Sequence, residues 1–241
     1  MKYMGSKNRI AKYLLPIMLE EAKKNNITTW VEPFVGGANM IDKVPKYFNR
    51  IGYDINKYLI SFFNEIQKGW LPPDNITLEQ YKYIKQNKDK DFKMTLWAGI
   101  GCSYCGKWFG GYASDYPESR RLKNGKLPNF QIEVRNGLLK QLPLIKNVEF
   151  ICDSFENLSF ENSLIYCDPP YKGTTKYKDD FNHELFYKWC KEMKSKGNLV
   201  FISEYEMPNE FKCILEVETN TQLGNGSKSG NKKAIEKLFT L

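Results

Sequence analysis

Short, densely apolar runs punctuate this chain, each stopped by an acid, a proline or a change to polar residues. They are Thr29–Glu32, Ile51–Asp54, Val148–Cys152, Ser163–Cys167, Leu199–Ser203, Phe211–Val217 and Lys237–Thr240. Runs of that length, rich in β-branched and aromatic residues and bounded by turn signals, predict buried strands. Between them the apolar positions recur at helical spacing. Asn56 can cap a helix through about Lys68, with Leu59, Ile60, Phe63 and Ile66 on one face. Further helices are predicted near Leu78 to Lys85, from Phe130 to Leu139, and from Phe181 through Lys194 with Leu185, Phe186, Trp189 and Met193 inward. Ser6 suits the cap of a short helix from Lys7, and Pro16 the first turn of another, Ile17 to Lys24. Strands interleaved with helices predict an α/β fold. From Leu71-Pro-Pro-Asp74 to about residue 140 the texture changes to helix, charge and Gly/Ser/aromatic segments. The expected organisation is therefore a domain of residues 1–70 and 141–241 carrying an insert, 71–140.

Two strand ends carry chemistry. Asp168-Pro169-Pro170-Tyr171 follows the run ending at Cys167, and the prolines forbid continuation of the strand. It thus sits at a strand's carboxyl end, where open α/β sheets hold ligands. It offers a carboxylate, rigid exposed carbonyls and an aromatic face, which suit an exocyclic amino group on an extruded base. An ordinary strand-ending Asp-Pro turn fits the tetrapeptide equally well. Glu32-Pro33-Phe34-Val35-Gly36-Gly37 follows the first strand, and its glycines let backbone approach a ligand closely. About twenty residues on, Asp54 ends the next strand, at the spacing of a carboxylate that accepts from a ribose diol. Neither G-x-G-x-x-G nor a P-loop is present, which argues against NAD, FAD and nucleoside triphosphates.

These residues resemble the Dam-like DNA adenine-N6 methyltransferases, which use S-adenosylmethionine. The resemblance runs from Tyr3-Met-Gly-Ser-Lys7 through Glu32–Gly37 and Asp54 to Asp168–Tyr171, in the family's order. Ala38 departs from it, since many members carry a third glycine or a serine there. The resemblance implies a Rossmann-like class I methyltransferase sheet, mostly parallel with an antiparallel terminal strand, plus a mainly helical target-recognition insert. It implies Asp168, Pro169, Pro170 and Tyr171 as catalytic, and Tyr3, Lys7, Glu32, Pro33, Phe34, Gly36, Gly37, Asp54, Asp153 and Asp168 toward the cofactor. By their local sequence alone, Lys7 reads as a helix-start lysine and Asp153 equally as a helix cap. An N4-cytosine methyltransferase faces the same amino-group problem, but its motif more often begins with Ser. RNA or protein methylation more often takes Asn there, and a silent DNA-binding module would be expected to show a damaged motif.

Charge sharpens the partner. Lys plus Arg number 36 against 28 for Asp plus Glu, a net +8, which favours polyanions. Seven basic residues and three acidic ones lie between Gly101 and Lys140, interleaved with aromatics. Lys107, Trp108, Tyr112, Arg120, Arg121 and Lys123 are the candidates for contacting double-stranded DNA, with a solvated surface and an aromatic satellite core as the plainer reading. The polar stretches 172–180 and 219–233 are expected to be a lid and a DNA-ordered loop. His183, the only histidine, reads as decoration of a helix start. Six cysteines without a secretory signal, and a lone Cys102-Ser-Tyr-Cys105, predict reduced thiols, no metal site and a cytoplasmic protein. No run approaches membrane-spanning length. A monomer or weak dimer is expected.

Overall fold

The structure is a computed structural model, and it describes residues 1–114, 125, 127–171, 181–221 and 232–241. Arg120, Arg121, Lys123 and the stretches 172–180 and 222–231 lie outside the described residues. The expected strands are present as β1 (Thr29–Glu32), β2 (Asn49–Asp54), β3 (Val148–Cys152), β4 (Leu164–Cys167) and β5 (Leu199–Glu204), followed by β6 (Lys212–Thr221) and β7 (Lys232–Thr240). They form one seven-stranded sheet in the order β3-β2-β1-β4-β5-β7-β6. β4 pairs parallel with β1 (Val31 opposite Ile165) and with β5 (Ile165 opposite Val200). β7 pairs antiparallel with β5 and β6. The mostly parallel α/β sheet with antiparallel terminal strands is thus the Rossmann-like arrangement expected. Its strand order reverses between β1 and β4, the position at which doubly wound sheets bind ligands beyond their carboxyl ends. All four β4 residues are buried, which is why that strand reads as an unbroken apolar run.

The helices are α1 (Ala11–Lys24), α2 (Lys57–Gln67), α3 (Leu78–Gln86), α4 (Phe92–Leu96), α5 (Phe130–Ile145) and α6 (His183–Ser195). Asn56 caps α2 as expected, its side chain accepting from the Tyr58 and Leu59 amides. Thr77 and Gln80 make a reciprocal capping box on α3, and Asn182 caps α6. Two helices outrun their prolines. α1 continues through Pro16 because Ala11, Leu14, Met18 and Ala22 form a buried stripe whose burial outweighs one missing backbone bond. α5 extends past Leu139 through Pro143, carried by buried Val134, Leu138 and Ile145. The last two strands are also longer than their apolar cores. The ladder runs from Lys212 opposite Thr240 to Thr221 opposite Lys232, since backbone pairing does not require apolar side chains.

Packing divides the chain into two units. The first comprises Met1–Asn8, Val35–Lys43 and Gly52–Asp153; the second comprises Arg9–Phe34, Val44–Ile51 and Ser154–Leu241. In the first, Phe63 stacks on Phe150 with ring centroids 4.5 Å apart, and Gln67 Nε2 donates to the Ile145 and Val148 carbonyls. Residues 71–140 fall wholly inside this unit. There α4 runs into a π turn, Trp97–Gly101, closed by the Cys102 amide donating to Trp97 O at 2.9 Å. In the second, fully buried Trp30 lies between Phe48 and Tyr166. No helix among the described residues is long and apolar enough to cross a membrane.

Candidate active site

In the first unit the candidate residues gather on the loop Val35–Asn39. The Val35 amide donates to Tyr53 O at 2.8 Å, which ties the loop to β2. Asp54, at the end of that strand, accepts from the Gly36 amide at 3.1 Å through Oδ2 and from the Asn56 amide at 2.9 Å through Oδ1. Burial pushes its pKa up to about 6, although the two amide donors pull it back down. The backbone is left-handed at Gly36, with φ of 46°, and at Ala38, with φ of 54°. Tyr3 is part of this group. A Cβ placed on Gly37 would come within 2.6 Å of Tyr3 Cβ and of Asn39 Nδ2, so the close approach requires glycine there. Lys7 is buried in a single 3-10 turn. Asp153 follows β3, and Ser154, in place of Asp153, caps the next turn by accepting from the Glu156 amide.

A residue absent from the sequence reading completes this group. Gln141 of α5 donates through Nε2 to Ala38 O at 2.9 Å, Asp42 Oδ2 at 2.9 Å and Gly37 O at 3.2 Å, with Asn39 Oδ1 at 3.4 Å. Its Oε1 accepts from the Met1 amine, which also donates to Asn39 Oδ1 at 3.1 Å. Burial pushes that amine down to about 5, against the pull of Asp42. Lys43 Nζ donates to Asn39 O and Asp42 Oδ1, both at 2.7 Å. The carbonyls of residues 37–39 are therefore spoken for by side chains.

In the second unit the paired strands β1 and β4 deliver motif residues from both carboxyl ends. Glu32, 2% exposed, accepts from Trp30 Nε1 at 2.9 Å. Pro33 is buried, and Phe34 packs against Phe155, Phe181 and Phe186 with centroids 5.6–5.7 Å away. Asp168 is half-buried, between buried Cys167 and buried Pro169. Tyr171 donates its hydroxyl to Glu236 Oε2 on β7 at 2.8 Å, and its ring meets Tyr205 edge-on at 4.7 Å. Burial, with Asp168 and Glu236 nearby, drives the Tyr171 phenol well above its usual range, which keeps it a donor. Beneath it the buried Tyr166 hydroxyl shares a 2.8 Å hydrogen bond with Ser203. His183 opens α6 and packs edge-on against Phe181, in keeping with a helix-start role.

In the insert, Trp108 packs on Tyr58 and Phe109, over Gly99, where a Cβ would come within 2.6 Å of its ring. Tyr112 donates to Ile76 O at 2.7 Å and meets the Tyr81 ring. Both aromatics thus have packing roles, whereas Lys107 is exposed and Tyr104 is 67% exposed. Cys102 is buried and its thiol is pushed far up by desolvation, so it behaves as a small apolar side chain. Tyr205, Glu236 and Gln141 were missed by sequence. Only Gln141 left a trace, a polar residue on the apolar stripe of α5.

Residues 3–94 match the family model of the D12 class N6 adenine-specific DNA methyltransferases. Those residues are a D12-class segment. It contains Tyr3, Lys7, Glu32 to Gly37 and Asp54, and stops before Asp168. Two curated relatives extend the likeness. The type II methyltransferase M.FokI of Planomicrobium okeanokoites is 26% identical over 208 residues, covering 76% of this chain. This chain spans only 30% of the length of M.FokI. The type II methyltransferase M.MjaIII of Methanocaldococcus jannaschii is 23% identical over 248 residues, covering 84% of this chain and 82% of that one. Among solved structures, the Haemophilus influenzae protein HI0767 superposes with a TM-score of 0.39 at 9% identity, over 96% of this chain and 88% of that one. That likeness is too loose to argue from, and the fold of this D12-class chain rests on its own strand order.

Proposed function

We propose that this chain transfers a methyl group from S-adenosylmethionine to the N6 amino group of adenine in double-stranded DNA. The observation that carries the reading is Asp168-Pro169-Pro170-Tyr171 at the carboxyl end of β4, beside the sheet's strand-order reversal, in a chain whose first part is a D12-class segment. The loop chemistry fits a nucleoside-bearing methyl donor. Gly36 and Gly37 present backbone without side chains, and Asp54 is a carboxylate placed to accept from hydroxyls. When bound, S-adenosylmethionine would supply an electrophilic methyl group on a sulfonium. Tyr3, Lys7, Glu32, Pro33, Phe34 and Asp153 are assigned to the same donor.

An adenine amino nitrogen is a weak nucleophile because its lone pair is delocalised into the ring. Asp168 and the Pro169 carbonyl would accept its two N–H groups and favour a more tetrahedral nitrogen. The carboxylate would also stabilise the positive charge that develops there as the bond forms. Tyr171 would stack on the base once it is extruded from the duplex. Its hydroxyl is already engaged by Glu236, so the ring face is what it has to offer. Pro170 keeps the backbone rigid between the two. Residues 71–140 are assigned to target recognition, with Lys107, Trp108, Tyr112, Arg120, Arg121 and Lys123 toward DNA. Packing already occupies Trp108 and Tyr112, so phosphate contact by the basic residues is the larger share of that assignment.

Nucleoside mass spectrometry of unmethylated DNA incubated with the protein and S-adenosylmethionine tests the proposal. N6-methyladenine is the expected product. N4-methylcytosine would overturn the substrate, and no modified base would overturn the activity.

A further inference from the structure

The loop Gly36–Asn39 has two left-handed residues, and one of them is not glycine. Ala38, with φ of 54°, carries a side chain in a conformation that L residues adopt reluctantly. Such a conformation persists where its surroundings over-determine it. The surroundings here are one side chain. The Gln141 amide lies within 3.2 Å of the carbonyl oxygens of Gly37 and Ala38, the two peptide units that flank the left-handed residue. Gln141 is 4% exposed and comes from α5, about a hundred residues further along the chain. Asp42, itself buried, accepts from the same amide. A hydrocarbon at position 141 would leave both carbonyls and Asp42 without this donor in a dry site.

We propose that Gln141 is a positioning residue for the methyl donor: it fixes the Gly37–Ala38 backbone in the conformation that S-adenosylmethionine requires, without touching the donor itself. The proposal rests on the reading of this loop as the donor's seat. It gives a consequence that a general packing role does not. Losing Gln141 removes the force that holds Ala38 left-handed, and glycine at position 38 would make that force unnecessary.

The test uses the full chain and S-adenosylmethionine itself. Its affinity is measured by calorimetry, and steady-state kinetics on unmethylated DNA separate KM for the donor from KM for DNA. Gln141→Leu is expected to weaken donor binding by about 10- to 100-fold, from two or so buried acceptors left unpaired, with KM for DNA little changed. Ala38→Gly added to Gln141→Leu is expected to recover most of that loss. Gln131→Leu is the control. Gln131 is an equally buried amide of α5, but it donates to Ala113 O and accepts from the Ile76 amide, away from the loop. It should lower thermal stability and leave donor affinity alone. Equal donor affinity in Gln141→Leu and wild type, or equal losses in the Gln141 and Gln131 variants, overturns the proposal. So does a double variant no better than the single. Should Gln141→Leu not fold, Gln141→Met, which keeps chain length, takes its place. If that also fails to fold, Gln141 is a structural amide and the proposal falls. If wild type binds no S-adenosylmethionine, the proposed function fails first.

Discussion

The glycine loop and the proline tetrapeptide hold backbone in place by opposite means. In the loop, rigidity is borrowed: residues 36–39 would be loose by composition, and Asp54, Gln141, Asn39 and Lys43 hold them through hydrogen bonds. In the tetrapeptide, rigidity is built in, because Pro169 and Pro170 fix their own φ and need no partner for it. Side chains there fix only the ring of Tyr171, through Glu236 and Tyr205. A borrowed constraint can be lost by changing a remote residue or the pH. A built-in one can be lost only by changing the residue itself.

The largest effect should fall on the built-in side. Asp168→Ala is expected to lower single-turnover methyl transfer by about a thousandfold or more, as removal of a transition-state charge partner does, with S-adenosylmethionine binding retained by calorimetry. Near-normal turnover would remove its catalytic role. On the borrowed side, Gly37→Ala should cost about 1–3 kcal/mol in donor affinity through overpacking against Tyr3 and Asn39. Adding Tyr3→Ala should return only part of it, because the Asn39 contact remains.

A smaller effect is a matter of pH. Burial has raised Asp54 to about 6, so its carboxylate is the costly form and is protonated below that value. Hydroxyl donors of a ribose need the ionised form. Donor affinity should therefore be full above about pH 7 and fall through pH 6, roughly tenfold weaker at pH 5 by proton linkage. Asp54→Asn should be weak throughout and flat across that range. The fold feels the opposite sign, since a raised acid makes this carboxyl less favourable to stability as pH climbs from about 4 to 6. Smallest of all, Tyr171→Phe keeps the ring and loses its bond to Glu236. About 1 kcal/mol in the transition state is expected from one hydrogen bond, read as kcat on unmethylated DNA. A loss as large as that of Asp168→Ala would show that the hydroxyl does more than orient the ring.

The same contrast explains what was legible in the sequence. Asp168-Pro-Pro-Tyr could be read directly, since its conformation is local. The Gly36–Asp54 pairing was legible through spacing, because adjacent strands of known length bring such residues together. Gln141 was not, since nothing local to α5 says which carbonyls its amide will meet. Trp108 and Tyr112 failed for a related reason: interleaved aromatics look alike whether they await a base or pack on Tyr58 and Tyr81. Pro16 and Pro143 misled because a local rule was outvoted by a buried stripe. Position in the fold, which no window of sequence contains, decided each of these.

The π turn at Trp97–Gly101 is in effect one surplus residue absorbed into a helix. Deleting a residue there would restore ordinary winding and swing whatever follows by about 100°, the angle per residue of an α-helix. The segment from Ser103 to Tyr112, which carries Tyr104 and Lys107, would then point elsewhere with none of its own residues changed. In a lineage of such chains, a single codon gained or lost at this turn could redirect that segment at a stroke, while substitutions within it change only what it presents.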